Sequence, residues 1–177
     1  MTLTTTIIRE YITIADNIMS KCFPKTYKTP TYTEITISKA RSFWAQIKHI
    51  SGKYYSLKVS NVFNEIEDQD DFENRMISCM IHELIHTLPG CFNHGAKFKA
   101  ACAKVNRMFP GYNLQRATSM EEYGIKREVK PIKYVMSCGK CGATWNYRRK
   151  PNIMDMNEMN KYYTCACGAA DFHLKEV

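Results

Sequence analysis

Between Phe72 and Leu88 the chain carries Phe72, Met76, Ile77, Met80, Ile81, Leu84, Ile85 and Leu88 at helical spacing, with Pro89-Gly90 next. So wide an apolar stripe predicts a helix that is largely buried, ended by the proline and glycine. Within it stands His82-Glu83-Leu84-Ile85-His86. Polar side chains on a buried helix are costly unless something satisfies them. Side chains four apart on a helix lie roughly 5–6 Å from one another on one face, so His82 and His86 can offer two imidazoles to one metal ion. Glu83, one position round, is then directed toward the open side of that ion. Zinc in its catalytic form takes three protein ligands and a water whose pKa falls to about 7. A carboxylate beside that water is a general base that passes the proton to a leaving amine. Glu83 is therefore the expected catalytic residue, and His82 and His86 are expected metal ligands.

A third ligand is required. His94 is the nearest downstream histidine, beyond the Pro89-Gly90 break, where a turning chain can bring the next helix back over the site. His49, His173, Glu121 and Glu122 are the other candidates. Cys91 stands close to His94 and could approach the metal as a thiolate, although its apolar surroundings suit simple packing. Tyr112 or Tyr123 could donate to a tetrahedral oxyanion, and nothing in the sequence selects between them.

Upstream, Leu3–Phe23 has apolar residues at helical spacing on one face and is stopped by Pro24. Thr31–Ser38 alternates as a strand does. Segments 42–50 and 53–59 flank Ser51-Gly52 and predict a β-hairpin, with a helix over Arg41–Ile50 as the alternative. Asn64–Asp71 reads as an acidic loop or a helix start. A further helix is expected from Gly95 to Met108, ended by Pro110-Gly111, and residues 112–131 read as a helical or irregular connector. The 177 residues suffice for one ordinary domain and a small second one. The expected fold class is α+β, with a first domain over 1–130 and a second module over 131–177.

That second module is defined by cysteines. Of the eight in the chain, Cys138/Cys141 and Cys165/Cys167 form two tight pairs, each followed by glycine. No basic region leading into an apolar stretch opens the chain, so an intracellular, reducing location is expected, and paired thiols there are more often metal ligands than disulfides. Four thiolates predict one structural zinc, which would carry most of the module's folding free energy. The second pair has one intervening residue instead of two, which leaves His173 as an alternative to one of its cysteines.

The net charge is +8. Residues 97–133 hold nine Lys or Arg against three Glu, whereas 61–80 hold six acidic residues against the single Arg75. A basic excess suits a polyanion or merely solubility. Trp145, Tyr147, Arg148, Arg149 and Lys150 suit single-stranded nucleic acid, or else the aromatics pack the module. No run of apolar residues is long enough to span a membrane.

His82-Glu-Leu-Ile-His86, then His94-Gly95-Ala-Lys-Phe98 and Val105-Asn106, resembles the SprT-like zinc metallopeptidase family, which includes the Spartan-type DNA–protein crosslink proteases. The upstream strand–aromatic–strand order and the C-terminal cysteines also resemble that family, so the likeness covers roughly residues 30–175. It implies a zincin-like metallopeptidase domain, made of an N-terminal helix, a small β-sheet, the HExxH helix and a following helix, with a C-terminal β zinc ribbon. It also implies zinc on His82, His86 and His94, and Glu83 as general base. By the same likeness Gly95 would let the backbone pass close to the metal, and Phe98 would pack the second helix on the first. The expected cofactors are two Zn2+ ions, one catalytic and one structural. The expected partners are a protein substrate and DNA, single-stranded or junction-containing. Two other readings stand beside this one. The first is a nucleic-acid-binding zinc protein whose HExxH site is structural or weakly active, against which the presence of Glu83 argues. The second is a general peptidase with no role on DNA.

Overall fold

The computed structural model describes residues 2–115, 119–125, 131–151 and 156–177. The chain divides into two compact units, Met1–Arg127 and Glu128–Val177, where the sequence placed its boundary between residues 130 and 131. Parts of the expected connector, 116–118 and 126–130, lie outside the described residues, and so do the basic residues Arg116, Lys126, Arg127 and Lys130.

In the first unit helix α1 spans Thr5–Cys22. The Thr4 side chain caps it by accepting from Ile7 N–H at 3.2 Å, and Ile8, Ile12, Ala15, Ile18, Met19 and Cys22 form its buried face. Three strands follow: β1 (Thr31–Ser38), β2 (Ala45–Ser51) and β3 (Tyr54–Ser60), in the order β1-β3-β2. The hairpin between β2 and β3 turns at Gly52, whose φ of +52° favours glycine; the helical alternative over Arg41–Ile50 is not adopted. β3 pairs parallel with β1, and as the central strand it buries Tyr55, Leu57 and Val59. Strand β2 is left at the sheet edge.

Helix α2 runs from Gln69 to Ile85, three residues earlier than the apolar stripe begins. The reason is its cap: Asp68 accepts from Asp71 N–H at 2.9 Å, and Asp70 and Asp71 meet the positive end of the helix. The acidic segment is thus a helix start. Helix α2 packs on α1, with Tyr11 and Phe72 edge to face at 5.9 Å. Helix α3 spans Ala96–Met108. Short 3-10 turns at Pro110–Tyr112 and Glu121–Tyr123 occupy the connector.

The second unit holds an antiparallel sheet of β4 (Tyr134–Cys138), β5 (Thr144–Tyr147) and β6 (Phe172–Glu176), in the order β5-β4-β6. An all-β module was expected, and here the structure corrects the sequence reading: helix α4 spans Met156–Tyr162. Met159 enters a small core with Met136 and Phe172. Asn160 bonds both backbone groups of Phe172, accepting from its N–H at 2.6 Å and donating to its carbonyl at 3.3 Å. One turn of apolar and amide side chains is enough to dock a helix too short to show a periodic pattern. No described helix is long and apolar enough to cross a membrane.

Candidate metal centres

Helix α2 ends at Ile85, with His86 at its C-cap, so His82 and His86 occupy its last turn. Turns at residues 86–91 reverse the chain, and His94 arrives immediately before α3. His82 Nε2 and His94 Nε2 face one another at 3.0 Å. One ring nitrogen from each of His82, His86 and His94 lies within 4.8 Å of the others, so the three can hold a metal ion.

Backbone groups orient two of the rings. His86 Nδ1 bonds the Cys91 carbonyl at 2.8 Å, which fixes its tautomer and leaves Nε2 for a metal. Cys91 thus contributes its carbonyl while its side chain stays in the core. His82 is bonded to the backbone of Gln115. That residue is brought there by Asn106 of α3, whose side chain donates to the Leu114 carbonyl at 2.9 Å and accepts from Leu114 N–H at 2.7 Å.

Phe98, wholly buried in the first turn of α3, forms the floor. Its ring centroid lies 4.8, 4.6 and 4.7 Å from those of His82, His86 and His94. Through His82 and His86 it packs α3 onto the end of α2, as expected. Gly95 stands in a tight turn. A Cβ there would come within 2.8 Å of Asn93 Oδ1, which accepts from Gly95 N–H, so its crowding comes from that turn.

Burial shapes the charges. It pushes the His82 pKa down to about 3, with the neighbouring His86 and His94 adding to the effect, and it also lowers that of His86. Both rings are then neutral at pH 7, the state that binds metal. Burial acts oppositely on Glu83, raising it to about 7 against the lowering effects of the Ile47 N–H and Arg75. Glu83 Oε2 accepts from the Ile47 backbone N–H at 2.7 Å. The carboxylate and the three histidines border one cleft of about 920 Å³, walled by β2 and reaching Arg75, Tyr55 and Gln115.

The other candidate ligands are not grouped with the three histidines, although His49 lines the same cleft. His49 Nε2 bonds the Gly52 carbonyl at 2.9 Å. Glu121 and Glu122 border the cleft but are not grouped with the histidines. Neither Tyr112 nor Tyr123 borders the cleft, whereas Tyr55 does. Sequence reasoning passed over Tyr55 and Arg75, and also the backbone of Ile47 and Gln115. For Arg75 a signal existed, since it lies on α2 seven residues before His82.

In the second unit Cys138, Cys141, Cys165 and Cys167 bring their sulfurs within 4.8 Å of one another. Cys138 and Cys167 are 3.7 Å apart, and Cys141 and Cys165 are 3.6 Å apart. Two knuckles do this. In the first, Gly142 N–H bonds the Cys138 carbonyl and Cys138 N–H bonds the Ala143 carbonyl, both at 2.9 Å. In the second, Gly168 bonds back to Cys165, and Cys165 to Ala169, both at 2.8 Å. The second is the same turn with one residue fewer, closed in each case by a glycine at positive φ. Backbone N–H groups of Cys141 and Lys140 lower the Cys138 pKa to about 7, favouring the thiolate. His173 instead pairs with Asp171, Nε2 to Oδ1 at 2.9 Å. Trp145 lies 5.7 Å from the Phe172 ring yet is 36% exposed.

The two groups can each hold a metal ion, one by nitrogen and the other by sulfur, and the first borders the cleft together with Glu83. No family model, curated protein or solved structure matches the chain.

Proposed function

We propose that the chain is a zinc-dependent metallopeptidase of the SprT-like kind, a zincin-like unit followed by a zinc ribbon, acting on proteins bound or crosslinked to DNA. One observation carries the reading: three imidazoles converge beside a buried carboxylate in an open cleft. The donor sets suit zinc. At a Zn–S length of about 2.3 Å, a tetrahedron places sulfurs about 3.8 Å apart, close to the 3.7 and 3.6 Å found. Imidazole with an open position suits a catalytic ion, and four thiolates suit a structural one.

Zinc at the histidines supplies Lewis acidity toward a peptide carbonyl and lowers the pKa of water to about 7. Glu83 takes the proton of the attacking water and delivers it to the leaving amine. The Ile47 N–H holds one of its carboxylate oxygens and leaves the other for that transfer. A pKa near 7 matches the residue to both halves of the exchange. Strand β2, at the sheet edge along the cleft, offers backbone groups to an extended peptide. The DNA part is supported by exposed Trp145, Arg148, Arg149 and Lys150.

The test is cleavage of a DNA-binding protein, with and without single-stranded DNA, by wild type and Glu83→Gln. Cleavage by wild type alone, stimulated by DNA, is expected. Equal products from both proteins sink the mechanism, and cleavage indifferent to DNA favours the general peptidase.

A further inference from the structure

Arg75 lies on α2 two turns before His82, about 10 Å along the helix axis. It is only 8% exposed and borders the same cleft as the histidines and Glu83. Its guanidinium carbon lies 4.7 Å from the centroid of the Trp44 ring and 5.8 Å from that of Tyr123. These rings attract a cation through their faces but accept no hydrogen bond in the guanidinium plane. Nε is buried without an acceptor. The ion pairs among the described residues, Arg41–Glu65 and Asp171–His173, leave Arg75 out. Glu83 feels its charge, but that carboxylate is held by Ile47 and stands beyond ion-pair distance.

A buried, unpaired cation is costly to keep. Its planar fork of donors fits a carboxylate in two-point fashion. A phosphate is the poorer fit, because Glu83, Glu121 and Glu122 border the same cleft and outnumber its other cations, Lys48 and Arg41, the latter paired with Glu65.

We propose that Arg75 is a specificity-determining residue that receives a carboxylate of the bound peptide, within about three residues of the cleaved bond. The substrate half of this inference rests on the peptidase reading, while the carboxylate site itself does not. The carboxylate comes from an Asp or Glu side chain or from the free C-terminus of the peptide.

The test uses the zinc-loaded full chain and end-blocked peptides scanned with one Asp or Glu, each beside its Asn or Gln twin. A second set compares free-acid with amide C-termini. In wild type we expect kcat/KM to favour the acid about 10–100-fold at one position. Arg75→Met brings that ratio to about one, and Arg75→Lys leaves an intermediate value. A preference confined to the free C-terminus identifies the terminal carboxylate as the source. Equal rates for acid and neutral twins in both sets overturn the inference and leave the peptidase reading intact. If wild type cleaves nothing, calorimetry with Glu83→Gln decides. Binding of the acidic peptide but not its twin, lost with Arg75→Met, keeps the subsite and refutes hydrolysis; no binding overturns both. Displacement of the acidic peptide by single-stranded DNA in an Arg75-dependent way overturns the carboxylate in favour of phosphate.

Discussion

Glu83 and Ile47, 36 residues apart in the chain, are joined by a 2.7 Å hydrogen bond from the edge-strand N–H to the carboxylate. Strand and helix thereby fix the orientation of this buried acid in the cleft. Glu83→Gln keeps an oxygen for that N–H and removes the base. Peptide hydrolysis is expected to fall about 10²–10⁴-fold while metal content is unchanged, as kinetics and metal analysis on the same preparation can show.

The same residue sets a pH dependence in the metal-free protein. Its folded pKa of about 7 exceeds its ordinary value of 4.5, so between these values the folded chain keeps a proton that the unfolded chain has released. Its contribution to stability is complete below pH 4.5 and lost as pH rises through 7. Glu83→Gln should therefore gain on wild type as pH rises, by up to about 3 kcal/mol at pH 8, at 1.36 kcal/mol per pH unit. Urea unfolding in chelator across this range measures it; a gap independent of pH contradicts it.

Phe98 supports all three imidazoles at once. Phe98→Ala should cost about 3–5 kcal/mol and loosen metal binding, whereas Phe98→Leu restores most of both. Denaturant unfolding and chelator competition report the two effects separately.

Asn106 acts at one remove, through Leu114 to Gln115 and then His82. Asn106→Ala is expected to weaken metal affinity about 10–100-fold, the usual scale for residues that orient a ligand. Chelator competition reads the affinity directly, and an unchanged value would show that the Gln115 contact does not hold the ring.

At the cysteine cluster, Cys165→Ser and Cys167→Ser should each reduce two bound zinc ions per chain to one, and His173→Ala should leave two. Metal analysis after dialysis decides between the shortened knuckle and the histidine.

The helices and the hairpin were legible because their signals are local: capping aspartate, apolar spacing, a glycine turn. The histidine group was legible because two of its members share one helical face and the third follows one turn of chain. What orients them was not. The partners of His82, His86 and Glu83 are the backbones of Gln115, Cys91 and Ile47, and a backbone amide has no letter of its own. Helix α4 was hidden by its shortness. Arg75 stood out by charge alone, and only packing against Trp44 and Tyr123 gives that charge a place.

Helix α3 follows His94 by two residues, carries Phe98 in its first turn and, through Asn106 near its tail, supports the contact to His82. It cannot swing away from α2 without dissolving the histidine cluster. Local opening of this helix would then release any ion held by the histidines in the same event, so a bound metal would act as a lock on a cooperative substructure. The slowest-exchanging amides of α3 thereby become a clock for how long the centre stays assembled.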